Sequence, residues 1–165
     1  MKKSNAKEKI CGLASYAVLT VLTVAVCWFF AGRYGVFGAN MDWISQHSVF
    51  PEYFRQQFYA TGKIFPEFAP NLGGGQNIYH FAYYGLYSPL ILPSYLLPFV
   101  KMSDYIMVIS ITGLTVSVLL FYYWLKSRKM DTGVAFIISL MFLLAGPMIG
   151  QYSGQIMFVD YMPFL

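Results

Sequence analysis

The chain has 165 residues and a net charge of +4; 58% of it is hydrophobic, 11% is charged, and its mean hydropathy is +0.54. A soluble domain of this length carries about 25% charged residues, so much of this surface is made for lipid rather than water. The positive balance then reports topology, and no nucleic-acid partner is expected.

Lys2, Lys3, Lys7 and Lys9 precede an uncharged run at residues 10–32. That run is longer than the roughly 7–15 residues of a signal-peptide core, which predicts an uncleaved anchor. Cys11 and Cys27 both lie in it. On one helix they stand about 24 Å apart, too far to bridge, and they read as small apolar core residues.

Two further runs, residues 104–125 and 133–150, are long enough to span a bilayer. Pro147 and Gly150 mark the end of the second. Residues 81–100 have the length too, but contain Pro89, Pro93 and Pro98. Proline inside a helix removes a hydrogen bond and clashes with the preceding turn, which predicts a broken helix at the membrane surface. Charge agrees. Without a crossing there, seven Lys and Arg lie inside and four outside; with one, five lie inside and six outside. Short cytoplasmic loops are the basic ones.

The expected fold class is all-α, a polytopic transmembrane helical protein forming a single membrane domain over residues 1–165. Helix one covers 10–32. A long extracytoplasmic loop with interfacial helices covers 33–103. Helix two covers 104–125, helix three 133–150, and 151–165 is an outer loop and the start of a further segment. The N-terminus is expected in the cytoplasm of a multi-pass protein of the bacterial cell membrane. The chain stops inside an apolar run, 156–165, too short to span, so a longer polytopic protein is expected.

Between Phe50 and Tyr87 the outer loop holds twelve Phe or Tyr residues. Phe50, Phe54 and Phe58 fall at i, i+4 and i+8 and share one face of a helix over 48–61. Such a face serves either interfacial anchoring or a cleft for a lipid chain or sugar. The stretch NLGGGQN at 71–77 permits a tight turn or close backbone approach to a ligand. It matches no nucleotide-binding loop, and its spacing predicts a plain turn between two interfacial helices.

Asp42 comes ten residues after the first apolar run. An acid there suits a base, an ion ligand, or a helix N-cap. Gln46 lies at i+4 and would share its helical face; His47 is adjacent, and His80 is the other histidine of the chain. Asp160, in MFVDYMPFL, is the second acid expected on the outer side; acids at membrane depth are functional suspects. Glu52, Glu67, Asp104 and Asp131 read as ordinary solvated or interfacial charges.

In order, GANMDWISQ at 38–46, QFYATGKIFPEFAPNLGGG at 57–75, FAYYGLYSPLILPSYLLP at 81–98 and GQIMFVDYMP at 154–163 resemble the N-terminal part of the YfhO-type bacterial membrane proteins, of the GT-C glycosyltransferase class. The resemblance implies a GT-C-like helical fold with a large outer loop carrying an essential acid. It implies transfer of a sugar from a polyprenyl-phosphate carrier to a cell-envelope polymer such as a teichoic acid. Asp42 then takes the catalytic position, with Asp160 as a second acid. Gln46, His47, Arg55, Gly74, Gly75 and His80 would bind substrate, and Arg55, Lys63 and Arg33 would neutralise phosphate. Asp42 would also be the ligand of a divalent cation, Mg or Mn. The implied partners are membrane lipid, the lipid-linked sugar and the envelope acceptor. The alternative is a non-catalytic membrane protein, a transporter or an envelope assembly factor. Ser110, Thr112, Thr115 and Ser117 of helix two can all bond their own backbone, which weighs against a transport path.

Overall fold

The structure is a computed structural model that describes residues 2–34 and 42–146, with the backbone alone at 2–10 and 32–34. Three long helices pack on one another. They are α1 (Lys2–Tyr34), α3 (Met102–Ser127) and α4 (Thr132–Leu143). Between α1 and α3 lies the segment expected outside the membrane, the outer segment, whose described residues hold one regular α-helix, α2 (Val49–Thr61).

The helical bundle follows from composition. Leu19 and Cys27 of α1, Leu114, Val118, Tyr122 and Leu125 of α3, and Ala135 and Leu143 of α4 form its shared core. Tyr16 meets Tyr122 edge to face at 4.9 Å. The other faces are apolar as well: Leu13, Val21, Trp28, Val108, Ile137 and Met141 are exposed. A helix apolar all round is one surrounded by lipid. Two helices are long and apolar enough to cross a membrane, Cys11–Ala31 and Met102–Ser127, with mean hydropathies of 2.1 and 2.0. Cys11 is exposed and Cys27 buried, both as free thiols. Asp131, read from sequence as an ordinary charge, caps α4 by accepting from the amides of Gly133 and Val134. The described part of the third apolar run is a helix of 12 residues; Pro147 and Gly150 lie outside the described residues.

Residues 81–100 form no continuous helix. They fold as the end of a 3-10 helix (Ile78–Tyr84), turns, and a second 3-10 helix (Leu92–Leu96). Hydrogen bonding explains this: Pro89 and Pro98 donate nothing and lie in turns outside the helices, while Pro93 sits in the first turn of the second 3-10 helix, where its missing donor is not needed.

The fold is mostly helical, as expected, but two finer expectations need correction. Phe68–Ala69 (β1) pairs antiparallel with Gln76–Asn77 (β2). The glycines that close this hairpin lie in the left-handed region, with Gly75 at φ +100. A side chain there would also meet the Phe68 ring 2.8 Å away. The turn therefore joins two strands, not two interfacial helices. The aromatic face of α2 is the second correction. Phe54 is fully buried, and Phe50 and Phe58 pack beside it in a separate core with Ala69, Ile78, Leu86 and Tyr95. Phe50 stacks on Phe81 at 4.8 Å and on Tyr84 at 4.4 Å. The outer segment holds these rings in its own interior, which removes more apolar area from contact with water than a flat interface would.

A buried arginine fastens this module. Arg55 is 3% exposed. Its guanidinium donates to the carbonyls of Ser94 at 3.4 Å, Leu97 at 2.9 Å and Val100 at 2.9 Å, and to the Glu52 carboxylate. Glu52 is thus the partner of a buried cation, not a free surface charge. Tyr105 of α3 donates to the Leu90 carbonyl at 2.7 Å, and Trp43, Ile91, Met102 and Ile106 form a small joint core. These contacts seat the outer segment on the first turns of α3.

Removing one member of a buried ion pair costs about 3–5 kcal/mol. Glu52 is a third exposed, so Arg55→Met is expected at the low end, about 3 kcal/mol. In protein lacking Cys11 and Cys27, a Ser94→Cys thiol, buried in the native fold, should resist a maleimide and become reactive when Arg55→Met is added. The long axis of α3, about 39 Å at 1.5 Å per residue, separates Ser127 from the outer segment. An impermeant maleimide added to intact cells should label Lys63→Cys or Ser127→Cys, and never both.

Candidate functional site

Asp42, itself in helical conformation, comes immediately before a turn that is not α-helical. Trp43–His47 forms a π turn in which the Ser48 amide donates to the Trp43 carbonyl at 3.0 Å, five residues back. Such a turn widens the helix and shifts the facing of the residues it carries from that of an α-helix.

Asp42 holds the N-cap position, yet its side chain makes no capping hydrogen bond. It is exposed. Capping, one reading of this acid, is not what its carboxylate does here. His47 is 3% exposed, and its Nδ1 has no hydrogen-bond partner among the described residues. Its ring lies against Tyr84 at 5.6 Å and Tyr83 at 6.1 Å. Burial pushes the imidazole below its ordinary pKa, and Asp42 opposes that shift. Gln46 accepts a hydrogen bond from the Tyr84 hydroxyl, which holds the π turn against the 3-10 helix Ile78–Tyr84.

A groove of about 520 Å³ begins at Ser48, one residue beyond the turn. Ser48, Glu52 and Gln56 line one side; Pro98, Phe99 and Lys101 line the other. Phe99 is 80% exposed. Since Met102 and Ser103 also border it, the groove stands where α3 begins its apolar run. Its wall on α2 is polar and its lip is apolar.

Of the residues singled out from sequence, Gln46 and His47 lie on the π turn and Asp42 immediately precedes it. Arg55 borders the groove, with its guanidinium engaged by carbonyls and Glu52. Gly74 and Gly75 serve the hairpin turn. His80 is exposed on the 3-10 helix that also carries Tyr83 and Tyr84. Lys63 pairs with Glu67 at 3.2 Å on the surface. Asp160 lies outside the described residues, and nothing is described of the Arg33 side chain. Among the described residues no group of three His, Cys, Asp or Glu side chains is placed to hold a metal ion. Tyr83 and Tyr84, which grip His47, were not separable in the sequence from ten other loop aromatics. Glu52 was legible as the i−3 neighbour of Arg55.

An exposed acid thus precedes a groove that stands at the start of an apolar helix long enough to cross a membrane. The family described as bacterial membrane protein YfhO matches residues 16–165, and the chain belongs to that family. No curated protein and no solved structure matches.

The buried imidazole ties stability to pH. Its folded pKa lies below the unfolded value of about 6.5. Between the two, the unfolded chain binds the extra proton, so stability rises with pH. The unfolding midpoint in detergent should be highest above pH about 6.5 and fall as acid approaches the folded pKa. His47→Phe should flatten that part of the profile.

Proposed function

We propose that this chain is part of a membrane glycosyltransferase that moves a sugar from a polyprenyl-phosphate carrier to an extracytoplasmic cell-envelope polymer, such as a teichoic acid. Membership of the YfhO family supports the membrane setting. The observation that carries the reading is the Asp42 carboxylate, exposed and making no capping bond, six residues ahead of Ser48, which lines a groove where α3 enters its apolar run.

An amphipathic carrier has its phosphate–sugar bond at that level, with its chain in lipid. The apolar lip suits the first isoprene units and the polar wall suits the sugar. Lys101 lines the groove and can meet phosphate as a point charge. Arg55 supports that wall from within. Asp42 takes the proton of an acceptor hydroxyl as its oxygen attacks the anomeric carbon, and the phosphate leaves with the bonding pair. A divalent cation, Mg or Mn, would supply charge neutralisation for that phosphate, with Asp42 as its one described carboxylate ligand. No step above depends on it. Asp160 as a second acid, Gln46, Gly74, Gly75 and His80 as sugar contacts, and multi-pass topology with a cytoplasmic N-terminus belong to the same proposal.

The transporter alternative gains little support. Thr112, Thr115 and Ser117 donate to carbonyls four residues back, at 2.7, 2.8 and 2.9 Å; Ser110 does not follow that expectation, since its buried Oγ has no hydrogen-bond partner among the described residues. Hydroxyls bonded four residues back serve their own helix rather than a polar path.

Asp42→Asn preserves size and removes the charge. In cells lacking the native copy, the variant should reach the membrane at normal level. Sugar on purified envelope polymer should drop by about 10²–10⁴-fold, the usual share of general-base catalysis. Near-normal sugar content would end the catalytic assignment.

A further inference from the structure

We infer that the tip of the outer segment, residues 94–100, enters the acyl boundary of the bilayer at the leaflet where α3 begins, with Leu96 and Phe99 as its lipid anchors and Lys101 at the lipid phosphates. This goes beyond the transferase reading and does not depend on it. The prolines place residues 81–100 at the membrane surface; side-chain exposure and backbone bonding single out the part that goes in.

The first observation is exposure. Leu96 and Phe99 are each 80% exposed, a value matched among the large apolar side chains of the described residues only by Trp28 of the apolar helix α1. Two such side chains three residues apart form a patch that water disfavours. The second observation is the backbone. Irregular chain enters lipid only where its polar groups are bonded from within the protein. The carbonyls of Ser94, Leu97 and Val100 accept from Arg55 at 3.4, 2.9 and 2.9 Å, and that of Tyr95 accepts from the Tyr59 hydroxyl. The amides of Ser94, Leu97 and Val100 donate to the carbonyls of Ile91, Ser94 and Leu97 at 2.9, 3.0 and 3.1 Å, and Pro98 has no amide to satisfy. A loop in water has no need of a buried cation for these carbonyls; a loop in lipid does. The third observation is continuity and charge. The tip runs straight into α3, whose exposed Val108, Val116 and Leu120 are surfaces for lipid. Lys101 is exposed and stands at the head of α3. Its stem lies along apolar surface while its ammonium stays at headgroup level, where lipid phosphate is its complement. Asp104, exposed in the first turn of α3, limits the depth, so the anchors reach the roughly 5–10 Å of an interfacial segment.

The test uses the full chain with its native cysteines replaced, in vesicles of phosphatidylcholine and phosphatidylglycerol. One environment-sensitive fluorescent maleimide is placed at Leu96→Cys, Phe99→Cys or Lys63→Cys. A nitroxide high on the lipid acyl chain is expected to quench the labels at 96 and 99 several-fold more than the label at 63, and aqueous iodide to do the reverse. Glu52→Gln with Arg55→Met removes the carbonyl donors without leaving a lone carboxylate; added to Phe99→Cys, the pair is expected to raise iodide quenching several-fold. Arg55→Lys, which keeps the charge but donates from one point, is expected to give a smaller rise. Iodide quenching at 96 and 99 equal to that at 63 overturns the insertion. So does a label at 96 or 99 that neither quencher reaches, since protein and not lipid then covers this face. Acyl quenching unchanged in both Arg55 variants overturns the part given to the backbone bonds.

Discussion

The outer segment depends on how one buried guanidinium treats a broken backbone. At a membrane surface, carbonyls released from a helix must find donors or remain in water. Residues 94–100, with Pro98 among them, release several. Arg55 answers three from the next layer, and Glu52 balances its charge. Arginine suits this because its fan of fixed donors fits several acceptors at once, where a lysine offers a single point. The clamp sets where α2 lies on the 94–100 stretch. It thereby sets the width of the groove between them.

From that clamp outward, two cores divide the molecule. One binds α1, α3 and α4, and leaves apolar faces for lipid. The other is aromatic, lies within the outer segment, and centres on Phe54. A small joint core around Trp43, Ile91, Met102 and Ile106 links them. Trp43 is the first residue of the π turn, so the residue that docks the turn on α3 is the neighbour of Asp42. The position of the acid relative to the membrane is therefore set by packing, not by a flexible linker.

Much of this was legible from residue patterns, and the exceptions have physical causes. The two long spans and the break at 81–100 follow from hydropathy and from proline chemistry, which act locally. The alignment of Phe50, Phe54 and Phe58 was also legible, but not what the stripe packs against. Helical periodicity marks a buried face without saying whether lipid or protein buries it. The hairpin escaped because two-residue strands carry no alternation to detect. Gln46 was expected beside Asp42 on α-helical spacing, whereas in the π turn it bonds Tyr84 and His47 packs on Tyr83 and Tyr84. A π turn is stabilised by tertiary contacts, here the Tyr84–Gln46 bond and Trp43 on α3, and no short-range propensity announces it. Arg55 was read as a phosphate partner because a cation in an outer loop is usually solvated. Only the fold shows the carbonyls that surround it.

Placing the acid on such a turn has a consequence for chemistry. A carboxylate used as a cap is held by backbone amides, and each amide that bonds it makes it a weaker base. Asp42 occupies the cap position without those bonds. His47, five residues on, is buried instead, and burial pushes its imidazole below the ordinary value. The same short turn thus leaves its leading carboxylate open to solvent, free of capping amides, and takes its last side chain into the interior between Tyr83 and Tyr84.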